Sequence, residues 1–481
     1  MKNFRLSSCV IAAHWIALAM VFGFLLIKAA LQFFPHYDTL AYHIPAALHA
    51  WDRTTYMPEP ILVDVIRGMP PLAHWMQGLL IVLIGRISAA NLINPLSLLA
   101  AAAVYHWLYR ETKGTRWFLT IVLAIPMIVL HCLTSYIDLW TGSLLFIAWL
   151  TLAWLQSERS SNALTERKTP WVLAICFLSL AAAFNSKFQA WPIVVVLGGW
   201  LIPVLWKMAR TDVSMRKLVI FQFFVFILLT SYTPIRNYRD FGNPTFPISN
   251  PLFQNRTAQP VDLSRTEELH RQMPEYLWEA PQWQRFGESV LELNRLQPGS
   301  ENFQWSLDQA GGPLEWKSPN HRMGGWFFGT VSLLLITCTL GTLRKFIPLK
   351  TALTLLTCTM AAAVCPQSHE LRYWLFLPMS AAALSANTLQ RLQGWLARLL
   401  KGLYVSVSVY VLISTLRPVT LKTQLASAFA PPQAVAFWQS QKTHPTSSVL
   451  LVRNAKPYAI FWSGPEFNSY RVKDLGNAPV R

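Results

Sequence analysis

Six ionisable residues stand out in an otherwise charge-poor chain: Asp38, Asp138, Lys187, Arg236, Glu370 and Arg372. Between Arg67 and Pro234 there are five acids, and four of them (Glu111, Glu158, Glu166 and Asp212) sit among basic residues in short loops. The fifth is Asp138, in SYIDLW. Glu370 is the only acid between Glu315 and Glu466 and lies beside Arg372 in QSHELRYW. Lys187 is in FNSKFQAW, Arg236 in SYTPIRNYRDFGNP and Asp38 in FPHYDTLAYHIP. Lysine and arginine make charge-assisted hydrogen bonds to phosphate oxygens. A carboxylate beside them accepts or orients a proton. Each residue also has a structural reading. Lys187 snorkels or pairs with Asp138, and the arginines touch lipid headgroups. Six such groups at one depth point instead to an anionic-ligand pocket flanked by carboxylates.

The elements that must hold these residues are membrane helices. Of 481 residues, 53% are hydrophobic and 13% charged, against about 25% charged in soluble domains. Apolar runs expected to cross a bilayer core of about 30 Å lie at 9–34, 89–109, 116–133, 139–156, 171–184, 188–207, 218–233, 325–343, 349–365, 372–389 and 402–416. The fold class is therefore an all-α polytopic membrane protein with about eleven spans. The formal charge of +18 is concentrated in alternate short loops (110–116, 159–168, 207–217, 344–350 and 391–401). That is the positive-inside pattern of a membrane protein, not a nucleic-acid surface. It puts the N-terminus inside, the C-terminus outside, and the six unusual charges at the outer face.

The pattern holds only if PPLAHWMQGLLIVLIG at 71–86 does not cross, so this segment is expected to be an interfacial or re-entrant helix of the first outer loop. The first apolar run is too long for a usual signal peptide and is expected to remain as a span. The outer regions are 35–88, 234–324 and a small extracytoplasmic segment at 417–481, with 1–416 forming the bundle. Within the tail, SSVLLVRNAKPYAIFW is expected to make two short strands around a turn. Trp278, Trp283, Trp305, Trp316 and Trp326, in or bordering the second loop, suit a membrane interface or sugar stacking. The six cysteines show no metal-ligand spacing and are expected to be core residues.

The residues and their order resemble the C-type glycosyltransferase superfamily, in the branch holding the lipid A aminoarabinose transferase and the protein O-mannosyltransferases. YDTLAYHIPAALHAW is similar to that family's D-x-x-x-Y-H-x-P pattern, and MPPLAHW to H-P-P-L-x-x-W. SYIDLWTGSLLF, SKFQAWP, PIRNYRDFGNPTFP and ELRYWLFLP are similar to later motifs in the same order. Thr39 and Leu40 follow Asp38 where many relatives carry a second acid, and Met69 stands where the H-P-P-L pattern has histidine.

The resemblance implies transfer of a sugar, with inversion, from a polyprenyl phosphate or diphosphate to an extracytoplasmic acceptor: a lipid, glycan or protein. It implies Asp38 as the catalytic carboxylate, and Lys187, Arg372 and Arg236 as donor-phosphate ligands. Tyr42, His43, His74, Asp138, Glu370 and Tyr373 are expected to line the pocket or meet the acceptor. No cofactor is firmly expected, and a divalent metal stays an open alternative. The expected setting is a bacterial inner membrane, with cell-envelope glycan or lipopolysaccharide as the end product. Two other readings share the spans. A lipid-linked sugar transporter would spread charge along a route to both faces, and an O-antigen ligase or polymerase would concentrate it in one late loop.

Overall fold

The computed structural model describes residues 2–31, 39, 43–51, 64, 66–109, 114–157, 163–211, 213–248, 252–253, 277, 279–291, 328–416, 449–452 and 471–474. Fifteen α-helices carry the fold among these residues. They are α1 (Lys2–Leu31), α2 (Ile44–His49), α3 (Leu72–Ile84), α4 (Ile93–Tyr109), α5 (Thr115–Leu123), α6 (Pro126–His131), α7 (Asp138–Gln156), α8 (Ala163–Phe184), α9 (Trp191–Thr211), α10 (Val213–Phe241), α11 (Gln282–Leu291), α12 (Phe328–Leu343), α13 (Leu349–Val364), α14 (Phe376–Arg391) and α15 (Gly394–Leu416).

Among the described residues six segments are long and apolar enough to cross a membrane: Cys9–Leu31, Ile87–Tyr109, Asp138–Gln156, Phe188–Arg210, Val213–Phe241 and Gly394–Ile413. The chain is a multi-pass membrane protein. The runs expected at 171–184, 325–343 and 349–365 fall on shorter apolar helices. The run at 116–133 is broken into α5 and α6, because Pro126 has no N–H to continue the helical ladder and Ile125 before it is extended.

The segment at 71–86 forms the 13-residue α3, about 20 Å long at helical rise and short of the bilayer core. Its buried residues, Ala73, His74, Gln77, Gly78 and Ile81, share one stripe. Gly78 lets α3 cross α2 in close contact: a Cβ there would lie 2.3 Å from the Ala47 carbonyl oxygen and 2.4 Å from the Trp51 ring. The Trp51 indole donates to the Trp75 carbonyl at 2.9 Å.

The core sits where α4, α5, α7 and α14 meet. Phe118 stacks on Tyr105 at 4.9 Å and on Phe146 at 5.2 Å, and the Tyr105 hydroxyl donates to Asn387 Oδ1 at 2.9 Å. The helix α7 is enclosed along most of its length, whereas α10 presents Phe221, Phe224, Leu228 and Ile235 outward.

The C-terminal segment contains two short strands among the described residues. Strand β1 (Val449–Val452) pairs in parallel with β2 (Arg471–Asp474), Val449 opposite Arg471. A parallel pair needs a longer connection than a tight turn, so β1's partner comes from beyond the expected run. The remainder of that run, 453–462, lies outside the described residues, as do Trp278, Trp305, Trp316 and Trp326.

Candidate functional site

The site is built on the turn that leads into α7. Asn94, fully buried near the start of α4, donates to the carbonyls of Thr134 (2.9 Å) and Tyr136 (2.6 Å). Its Oδ1 accepts the backbone N–H of Trp140 at 3.0 Å, one of the N-terminal donors that a helix leaves without an internal partner. One side chain thus fixes both the turn and the helix start. Asp138 occupies the first position of α7, where the helix dipole favours a negative charge.

A second clasp brings in Lys187. Thr233 Oγ1 donates to Asn185 Oδ1 (2.7 Å), Asn185 Nδ2 donates to the Leu229 carbonyl (3.0 Å), and the Leu72 N–H donates to the Asn185 carbonyl (2.9 Å). These bonds tie the end of α8 to α10 and to the start of α3. Ser186 Oγ accepts from the Trp140 indole at 2.9 Å. Lys187 follows in extended conformation. Its ammonium donates to Asp138 Oδ1 and lies 3.8 Å from the centroid of the Tyr373 ring.

The third contribution is the turn before α14. Gly142, one turn into α7, allows a close approach: a Cβ there would sit 3.0 Å from Leu375 Cβ. The neighbouring Arg372 Nε pairs with Glu370 Oε2 at 3.1 Å, and its Nη2 donates to the Tyr373 hydroxyl at 3.1 Å. The guanidinium lies 5.0 Å from the ring centroids of both Tyr136 and Tyr373. Lys187 and Arg372 therefore share Tyr373, and each holds its own carboxylate. The other Glu370 oxygen, Oε1, is buried with no hydrogen-bond partner among the described residues.

The segment between α1 and α4 reaches the same place. Ser135 Oγ donates to Thr39 Oγ1 at 2.7 Å, and Gln77 Nε2 donates to the Ser135 carbonyl at 2.6 Å. His43 Nδ1 and His74 Nε2 share a hydrogen bond of 3.0 Å, and the His43 ring meets Tyr136 edge-on at 5.6 Å. Burial in the short α3, which is not among the six long segments, followed by the positive charge of Lys187, lowers His74 to about 4, so its ring is neutral near pH 7.

Asp138, Lys187, Glu370, Arg372 and Tyr373 thus form one group, with His43 and His74 joined to it through Tyr136. Arg236 belongs elsewhere. Its Nη2 donates to the carbonyls of Gly68 (3.0 Å) and Met69 (2.8 Å) and to Asn237 Oδ1 (2.8 Å). Arg236 faces this turn because helix α10 continues through it to Phe241, which aims the side chain at the segment entering α3. Asn237 Nδ2 completes the turn by donating to Gly68 and Phe246, each at 2.7 Å. Asp38 and Tyr42 lie outside the described residues.

Two residues that carry no conspicuous charge in the sequence, His131 and Tyr136, also belong to the site. His131 Nδ1 donates to the Met127 carbonyl at 2.8 Å, which leaves Nε2 facing Asp138 Oδ2 at 3.8 Å. Tyr136 links His43, His131 and Arg372. The available signal is a set of polar residues, Asn94 inside an apolar run and Ser135 and Asn185 at the junctions between runs, where an unpaired polar group is costly. Among the described residues no group of three or more histidine, cysteine, aspartate or glutamate side chains converges as a metal site.

The fold has solved neighbours. The chain is similar to ArnT from Cupriavidus metallidurans in the apo state, at 14% identity and TM-score 0.55, covering 98% of this chain and 87% of that one. It is equally similar to ArnT from the same organism bound to undecaprenyl phosphate, again at 14% identity and TM-score 0.55, covering 96% and 86%. The resemblance to the C-type glycosyltransferase superfamily is thus borne out at the level of fold. No protein-family profile matches the sequence, and no curated protein matches it.

Proposed function

We propose that this protein is a membrane glycosyltransferase that moves a sugar from a polyprenyl phosphate to an acceptor hydroxyl at the outer face of a bacterial inner membrane. The observation that carries the reading is the meeting of Lys187 and Arg372 on Tyr373, next to a turn bonded to the first outer loop at Thr39. Undecaprenyl phosphate in the similar ArnT structure supports a polyprenyl phosphate as the lipid carrier. The reading includes eleven crossings and an outward C-terminus, supported by the alternation of basic loops.

In the proposed reaction the acceptor oxygen attacks the anomeric carbon as the bond from that carbon to the phosphate oxygen breaks, so the configuration inverts. The acceptor proton passes to the Asp38 carboxylate, and the polyprenyl phosphate leaves carrying the displaced electron pair. Lys187 and Arg372 stabilise the negative charge that grows on the departing phosphate, from positions fixed before the reaction. Asp138 orients the Lys187 ammonium, and Glu370 orients Arg372. Arg236, expected at the phosphate, instead anchors the Gly68–Met69 turn and so sets the direction of α3. His43 and His74, hydrogen-bonded together, shape the wall between α3 and Tyr136.

The test is incubation of the purified full-length protein with a panel of polyprenyl-phosphate sugars and candidate lipid, glycan and protein acceptors, followed by mass analysis. A mass increase of one sugar residue on an acceptor, lost in Asp38→Asn, supports the reading. Donor binding without transfer to any acceptor, together with movement of the lipid-linked sugar between leaflets of a vesicle, would favour a transporter.

A further inference from the structure

The other end of the bundle carries a second cluster of cations. The helix α4 links the two ends: Asn94 bonds the Asp138 turn, and His106, twelve residues later, bonds Thr115 Oγ1 at 3.0 Å. That separation is about 18 Å of helical rise. Arg116, next to Thr115, lies 5.8 Å from the Trp117 ring centroid, and the Lys401 ammonium of α15 lies 5.6 Å from the same centroid. His14 of α1 meets Trp117 edge-on at 5.3 Å. The Thr120 hydroxyl donates to the Arg116 carbonyl at 2.8 Å, so it accepts from His14 Nε2, also at 2.8 Å. Ser408 Oγ fastens α15 to the Thr120 carbonyl at 2.7 Å.

This cluster is unlike the one at Asp138 in a decisive respect. No acid pairs with Arg116 or Lys401 among the described residues, and Arg116 adds its repulsion to Lys401. Two buried donors, Arg116 Nε and Trp117 Nε1, have no acceptor there. Two half-buried like charges and unfilled donors call for a ligand rich in acceptors and negative charge. The helices on either side, α1 and α15, expose Val10, Ile11, Trp15, Leu399 and Leu403, which suit acyl chains better than water.

We infer that His14, Arg116, Trp117 and Lys401 form a binding site for the phosphate headgroup of an anionic phospholipid. The site lies where α1, α5 and α15 meet, at the bundle end that carries the basic loops. The lipid phosphate supplies acceptors to Arg116 and Lys401, and its chains lie along the outward faces of α1 and α15. This inference is independent of the proposed transfer reaction.

The test titrates full-length protein in neutral detergent with phosphatidylglycerol, phosphatidylcholine or inorganic phosphate, and counts retained ligand by native mass spectrometry. Wild type is expected to hold one phosphatidylglycerol in preference to phosphatidylcholine. Its Kd should rise about tenfold in Lys401→Gln and about a hundredfold in Arg116→Gln/Lys401→Gln. The Arg216→Gln/Lys217→Gln protein, altered at exposed basic positions of α10, should keep the wild-type Kd. Lys401→Gln alone decides the case if the double variant fails to fold. Equal affinity for phosphatidylcholine, or an unchanged Kd in Lys401→Gln, would overturn the site. Inorganic phosphate binding as tightly as phosphatidylglycerol would overturn its assignment to a lipid.

Discussion

The two cation clusters teach by their difference. At one end, Lys187 and Arg372 each hold a buried carboxylate, Asp138 and Glu370, and share the Tyr373 side chain. At the other, Arg116 and Lys401 share the Trp117 ring with no acid between them among the described residues. Buried ions need partners to offset lost hydration. The first cluster is therefore self-neutralised, its cations aimed by permanent counter-ions. The second is complete only with an outside anion. A ligand that must enter and leave suits the first arrangement. One that stays suits the second.

The largest expected effect concerns Asp38, the proposed proton acceptor. Asp38→Asn should lower sugar transfer by about 10²–10⁴-fold with an unchanged melting temperature in detergent, read from a transfer assay and thermal unfolding together. Wild-type turnover in that variant would remove the proposed base. Next comes the counter-ion itself. Asp138→Asn leaves Lys187 without its carboxylate and should cost about 3–5 kcal/mol of stability, measured by thermal unfolding. Adding Lys187→Met removes the stranded charge and should restore most of that loss without restoring transfer. Stability that stayed low in the double variant would mean that the pair does more than neutralise itself.

A smaller effect follows from His74, whose ring is held near 4 against an ordinary 6.5. The unfolded chain binds a proton below about pH 6.5 that the folded chain refuses until about pH 4. This contribution to stability is therefore complete above pH 6.5 and declines as pH falls towards 4, by up to about 3 kcal/mol. His74→Gln should flatten that part of the pH–stability curve, and an unchanged curve would contradict the burial argument. Asn94→Ala is expected to be milder, at about 1–3 kcal/mol. It should loosen the Asp138 turn, so that transfer falls more than stability alone accounts for. A loss of stability with full turnover would make Asn94 a packing residue only.

The first cluster was largely legible in the sequence because ionised side chains in apolar surroundings are conspicuous. Asp138, Lys187, Glu370 and Arg372 are charges that the loop pattern leaves unexplained. Arg236 is another such charge and yet belongs to a different contact. Its position just after an apolar run sets its depth, whereas its direction depends on α10 continuing to Phe241. Asn94 and Asn185 do not stand out, because a neutral amide in or beside an apolar run acquires meaning only from partners distant in the chain. The second cluster was visible only as part of a basic loop pattern. His14, Trp117 and Lys401 come from three separate helices, and what sets them apart is a shared ring with no acid paired to it among the described residues. The parallel pairing of β1 with β2 was illegible for a related reason, since alternation marks a strand but not its partner.

Binding of undecaprenyl phosphate to the purified wild-type and Asp138→Asn/Lys187→Met proteins tests the central claim most directly. Both must melt at the same temperature, so that affinity alone is compared. The account predicts a Kd at least about tenfold higher in the variant, the loss of one charge-assisted phosphate contact. An unchanged Kd would contradict it and reduce Lys187 to the structural partner of Asp138.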